Sequence, residues 1–153
     1  DSNNHIFLNG QDVSQVIRQD QVSMSASVVS SYQAVRTFLV EQQRQMANVG
    51  GVILDGRDIG TVVLPNAELK IYQIASVDTR AKRRYLENQE RGLTADLELI
   101  KKDIEQRDYQ DMNRDISPLK QAEDAIVLDT SAMTLQEVVD AVLKLVEEKI
   151  KEV

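Results

Sequence analysis

Val52-Ile53-Leu54-Asp55-Gly56-Arg57-Asp58-Ile59-Gly60-Thr61 decides how the chain is read. A run of apolar, mostly branched residues ends in Asp-Gly, and an arginine and an aspartate then stand between two glycines. A short branched run is what a buried parallel strand requires, so residues 52–55 are predicted as a strand. The glycines mark a sharp turn or a close approach of backbone to a ligand. In open α/β sheets ligands sit beyond the carboxyl ends of the strands, where Arg57 and Asp58 would emerge. A guanidinium offers phosphate a planar fork of donors, and the carboxylate can orient it or accept from a ligand donor. A tight turn with a surface ion pair is the plainer alternative, and these ten residues leave both open.

Outward from this stretch, the pattern alternates. On the N-terminal side, His5-Ile6-Phe7-Leu8-Asn9-Gly10-Gln11-Asp12-Val13 reads as a strand meeting an Asn-Gly hairpin turn. Ser14 is placed to cap a short helix carrying Val16 and Ile17. A longer helical region follows over 22–46, and Gly50-Gly51 breaks it. On the C-terminal side, Pro65-Asn66-Ala67 reads as a turn before a second strand at 69–75. A basic helix over 77–91 stops at Gly92. Thr94 or Asp96 caps the next helix, which runs to about 115 and ends before Ser117-Pro118. A third strand is predicted at 125–129. Thr134 then caps a last helix with Leu135, Val138, Val139, Val142, Leu145 and Val146 at helical spacing. Strands alternating with helices imply an α/β fold, a parallel sheet with flanking helices.

Composition narrows the function. At 153 residues, with 42% hydrophobic and 28% charged residues, the chain can bury a core as one soluble domain, with room for a small appendage. A net charge of −7 and 4% aromatics argue against binding nucleic acid, which needs a basic face or a stacking platform. With no cysteine and one histidine, His5, there is no thiol chemistry and little scope for a histidine metal centre. No metal-ligating residue is assigned. No signal peptide, membrane span or lipidation motif is seen, so no membrane partner is expected and the location is read as cytoplasmic.

In this acidic chain the arginines cluster. Arg80, Arg83 and Arg84 share one helical face, and their repulsion needs an offset from solvent, from Glu87 and Glu90, or from an anionic ligand. Arg107, Asp111 and Arg114 form a second stripe. Read as helix salt bridges, each pair there is worth only about 0.3–0.5 kcal/mol. Read as a site, two arginines and the carboxylate between them would hold phosphate or ribose. Ser27 and Arg36 form a third polar pair on the N-terminal helical region. Phosphoryl transfer calls for such groups: cations that position phosphates, stabilise spreading charge and assemble only when the site closes.

These residues carry a resemblance. The run from Asp55 to Val63 resembles the bacterial cytidylate kinases, P-loop enzymes that phosphorylate CMP and dCMP with ATP. So do Leu69-Lys70-Ile71-Tyr72, Arg80-Ala81-Lys82-Arg83-Arg84, and Glu105-Gln106-Arg107-Asp108-Tyr109-Gln110-Asp111 through Asn113-Arg114. Ser117-Pro118-Leu119 and Asp124-Ala125-Ile126-Val127-Leu128-Asp129-Thr130 continue it, so the likeness covers nearly the whole chain in order and is weakest over the first twenty residues.

The resemblance implies roles. Ser27, Arg36 and Asp58 would recognise the cytosine ring. Arg57 and Arg114 would contact nucleotide phosphate, and Arg107 and Asp111 ribose and phosphate near the reacting groups, these four being the catalytic candidates. Arg80, Arg83 and Arg84 would reach the phosphates from the helix leading into a lid. It further implies a CMP-binding subdomain at 1–50, the C-terminal part of the kinase core at 51–153 with a lid at about 84–107, and Mg2+ bound with ATP. The family's G-x-x-x-x-G-K-[ST] phosphate loop and its Asp-Thr-Gly-x-Met-Tyr-Arg segment are not found in these 153 residues. The chain is therefore expected to be the C-terminal part of such a kinase, inactive alone, with sheet edges prone to pair with another copy. A non-catalytic nucleotide- or phosphate-binding α/β module is the rival reading.

Overall fold

The computed structural model describes residues 5–152, so the first four positions of the predicted 1–50 subdomain lie outside the described residues. The order is β1 (Phe7–Leu8), β2 (Gln11–Asp12), a 3-10 turn (Val16–Arg18), α1 (Asp20–Val29) and α2 (Gln33–Ala47). A π-helical turn (Ile59–Val63), β3 (Ile71–Ile74), α3 (Val77–Glu90), α4 (Leu97–Asn113), β4 (Ile126–Asp129) and α5 (Leu135–Glu152) complete it.

The hairpin forms as the sequence predicts. Asn9 and Gly10 take φ of 52° and 83°, the left-handed conformations that a two-residue turn needs, and Phe7 pairs with Asp12. Ser14 caps no α-helix. Its hydroxyl accepts from the Ile6 amide and donates to Asp12, pinning the hairpin instead, and a 3-10 turn stands where the short helix was expected.

The helical region expected over 22–46 is two helices. Ser30 donates to the Ser27 carbonyl at 2.8 Å and Ser31 to the Val28 carbonyl at 2.7 Å. These side chains compete for carbonyls that would otherwise serve the helix ladder, and Tyr32 turns extended at ψ 125° before α2 begins.

The parallel sheet is present and small. β3 and β4 pair in parallel, Ile71 with Ile126 through Ile74 with Asp129. The strand expected at 52–55 does not form. A strand exists by its ladder, and this segment finds no partner among the described residues: Ile53 stands 95% exposed. Arg57 and Asp58 leave this extended segment and enter the π turn, of which Asp58 is the N-cap. A Cβ on Gly56 would lie 3.0 Å from the Ile59 side chain, which would have to give by a few tenths of an ångström.

The remaining boundaries follow local chemistry. Ser76 caps α3 by accepting from the Thr79 amide, and Asp96 caps α4 by accepting from Leu99. Thr134 and Glu137 form a reciprocal capping box on α5. α3 and α4 pack as a hairpin, and α1 lies on α4. Val63, Ala81 and Ile100 are the buried apolar residues around which the described elements meet.

Candidate functional site

The site is built on α4. Asp111, 2% exposed, accepts from the Ser27 hydroxyl of α1 at 2.9 Å and from Arg57 Nε at 3.0 Å. Arg107 and Arg114, one turn to either side, stand 3.7 and 3.9 Å from the same carboxylate. One buried negative charge thus organises three positive ones. The helix salt bridges expected of this stripe are present, but on a buried carboxylate that water screens less than it would an exposed partner.

An open cleft of about 470 Å³ lies alongside. Seven of the ten arginines line it, Arg18, Arg57, Arg80, Arg83, Arg84, Arg91 and Arg107, against two carboxylates, Glu87 and Asp108. In a chain of net charge −7, that concentration makes the cleft locally positive. Burial, followed by the neighbouring charge of Arg57 and later of Arg84, lowers the pKa of Arg107, and Asp111 offsets only part of it. The guanidinium stays charged, and its burial and the neighbouring positive charges disfavour that state.

The arginines of α3 are already held. Arg80 makes a bidentate pair with Asp108 of α4 at 2.9 and 2.6 Å and donates to the Ala75 carbonyl. Its charge is thus offset by the facing helix, a source the sequence did not suggest. Arg83 donates to the Thr130 carbonyl at 2.6 Å and the Met133 carbonyl at 2.9 Å, tying α3 to the end of β4. Arg84 lines the cleft from the next position.

Arg36 and Asp58 meet, but not in that cleft. They pair with each other, 8% and 4% exposed, and neither lines it. Arg114 is likewise set back, its side chain 9% exposed and its Nε donating to the Ser117 carbonyl at 2.7 Å. Ser27, bonded to Asp111, is buried and does not line the cleft either. The buried Nε atoms of Arg36 and Arg107 make no hydrogen bond, so each group keeps a donor to offer.

Arg44 adds a support that the sequence reading did not find. Its fork donates to the Val62 and Val63 carbonyls at 2.7 and 3.0 Å, binding α2 to the π turn that presents Asp58. Arg18, Arg91 and Asp108 were also missed: Arg91 pairs locally with Glu87 and Asp108 with Arg80 on the facing helix, and the cleft that gathers them is tertiary and leaves no local period. The predicted lid range 84–107 covers the second half of α3, the connection and most of α4. No group of three His, Cys, Asp or Glu among the described residues could hold a metal ion. Nor is any described helix long and apolar enough to cross a membrane.

A family model described as cytidylate kinase matches residues 1–148. A cytidylate kinase of Geobacillus sp. (strain WCH70) is 50% identical over 145 residues, which cover 95% of this chain and 65% of that protein. One from Bacillus cytotoxicus is 51% identical over 146 residues, with the same two coverages. A third, from Leuconostoc mesenteroides subsp. mesenteroides, is 51% identical over 145 residues. The chain therefore spans about 65% of the length of these curated relatives.

Proposed function

The chain belongs to the cytidylate kinase family, and we propose that it carries the acceptor-nucleotide side of a kinase transferring the γ-phosphoryl group of ATP to CMP or dCMP. The products are CDP or dCDP, the partners are small nucleotides rather than nucleic acid, and the setting is the cytoplasm. The observation that carries this reading is the arginine cleft gathered beside one buried carboxylate. A phosphoryl group in flight asks little covalent chemistry of the protein. It asks for fixed positive charge where its oxygens gain negative charge.

In this reading Arg57 and Arg107 take the acceptor phosphate, held in place by Asp111, with Arg114 supporting the same carboxylate from behind. Arg80, Arg83 and Arg84 present the lid side, over residues 84–107. Ser27, Arg36 and Asp58 read the base. Cytosine has an amino donor and carbonyl and ring-nitrogen acceptors, which a carboxylate, a hydroxyl and a guanidinium complement. For this, the Arg36–Asp58 pair must open toward the ligand. The subdomain division at 1–50 and 51–153 follows the same assignment. Mg2+ would enter bound to ATP; among the described residues no group of three His, Cys, Asp or Glu could hold it.

No phosphate loop motif occurs in these 153 residues, so nothing in them cradles the β- and γ-phosphates of ATP. A polypeptide of these residues alone is expected to release no ADP in response to CMP. The natural gene product is expected to do so, with CMP and dCMP preferred over AMP and GMP in a coupled ADP-release assay. CMP binding by the natural gene product without turnover would instead mark a non-catalytic nucleotide-binding module.

A further inference from the structure

Ser23 and Ser27 of α1 and its C-cap Ser30 follow the spacings that separate Arg107 and Asp111 of α4 and its C-cap Arg114. Each serine meets the residue 84 positions later. Arg107 Nη1 donates to Ser23 Oγ at 2.5 Å, Ser27 Oγ donates to Asp111 at 2.9 Å, and Arg114 Nη1 donates to Ser30 Oγ at 3.1 Å. A constant offset means that the helices run parallel here, locked residue against residue. The middle pair belongs to the site described above, and Ser23 has no role in it.

The choice of a hydroxyl is chemically informative. Arg80, in the same cleft, is held by a carboxylate that neutralises it. Arg107 is held by Ser23 through a neutral acceptor, which fixes one of its N–H groups without adding a carboxylate to Asp111, 3.7 Å away. Ser23 itself lines the cleft. Asp111, the nearest carboxylate to Arg107, is shared with Arg57 and Arg114.

We infer that Ser23 is a positioning residue, orienting Arg107 from α1 with a neutral acceptor so that no carboxylate beyond the shared Asp111 offsets the charge that meets the acceptor phosphate. The inference rests on the phosphoryl-transfer reading and deepens it. A hydroxyl placed only for packing would tolerate any side chain that keeps α1 on α4. One placed to orient without neutralising would not tolerate a carboxylate.

The test compares Ser23→Thr, Ser23→Ala and Ser23→Asp in the natural gene product, reading kcat and KM for CMP and ATP beside the melting temperature. Thr keeps the hydroxyl and is expected to retain most activity. Ala frees the guanidinium, and kcat/KM for CMP is expected to fall about tenfold, with KM for ATP unchanged. Asp re-forms the contact as a charge-assisted pair, so its melting temperature should equal or exceed that of Ala while kcat/KM for CMP falls at least as far. Wild-type activity in Ser23→Asp, or equal loss in Thr and Ala, would overturn the inference. A double-mutant cycle of Ser23→Ala with Arg107→Met, read by unfolding without nucleotide, tests the contact apart from the kinase reading. Coupling there supports the contact even if turnover is absent, and additive changes overturn it.

Discussion

At Asp111 one carboxylate faces three guanidiniums and a hydroxyl, with Arg114 only 9% exposed beside it. Breaking a buried ion pair from one side leaves the other charge uncompensated. Asp111→Ala is therefore expected to cost about 3–5 kcal/mol in urea unfolding, and a loss below 1 kcal/mol would return the stripe to ordinary surface pairs. Arg83 and Arg84 are adjacent yet differ in what they do. Arg83 spends its fork on two backbone carbonyls, so Arg83→Ala should lower stability by about 1–3 kcal/mol through the loss of these two charge-assisted hydrogen bonds. Arg84→Ala should chiefly lower turnover in the natural gene product, by about 100-fold or more if it meets developing phosphate charge. Stopped kinetics with an intact fold, against the reverse, separates the two. The stripe of Arg107, Asp111 and Arg114 was legible because helical periodicity alone aligns it. Ser23 and Asp108 were not, since their partners lie on other helices, 84 and 28 residues away.

Among the elements, the caps and turns of the C-terminal half were readable from single residues: Asp96, Gly92, Ser117-Pro118 and Thr134 stand where the chain changes direction. Besides the helix expected after Ser14, two predictions failed for opposite reasons. The helix over 22–46 divided because Ser30 and Ser31 bond locally, a competition that apolar periodicity does not register. The strand at 52–55 lacks a ladder because pairing depends on a partner elsewhere, which no local composition supplies. The junction of β4 and α5 also carries a pH dependence. Amide and hydroxyl donors from Ser131 lower the pKa of Asp129, and those from Thr134 lower that of Glu137, from ordinary values of 3.8 and 4.5. Carboxylates with depressed folded values stabilise above the unfolded pKa, and the contribution is lost as pH falls through the folded one. The helical circular dichroism of α5 is thus expected to hold at pH 5–7 and to weaken below the ordinary carboxylate range. Glu137→Gln should flatten that acid limb, and an unchanged limb would remove the capping box from the explanation.

For the whole molecule, the sheet is the weak layer. Ile126 and Val127 of β4 are 44% and 48% exposed, Ile53 is 95% exposed, and two strands are few for independent stability. Unpaired strand edges recruit other chains, so the 153-residue polypeptide is expected to melt broadly or to self-associate through β3. A sharp, concentration-independent melt of a monomer, followed by sedimentation, would contradict this. The α/β class and the arginine surface were visible in the sequence because they arise from alternation and clustering. The separation of the buried Arg36–Asp58 pair from the cleft was not, because depth is set by packing. That separation makes the central claim testable, since one pair is assigned to the base and the cleft to phosphate. The most direct measurement is the apparent affinity for CMP and for ATP in the natural gene product carrying Asp58→Ala. KM for CMP should rise by about 5- to 150-fold, the worth of roughly 1–3 kcal/mol of lost hydrogen bonding, while KM for ATP stays within about twofold. Equal shifts for both nucleotides, or a wild-type protein without CMP-dependent turnover, would contradict the assignment.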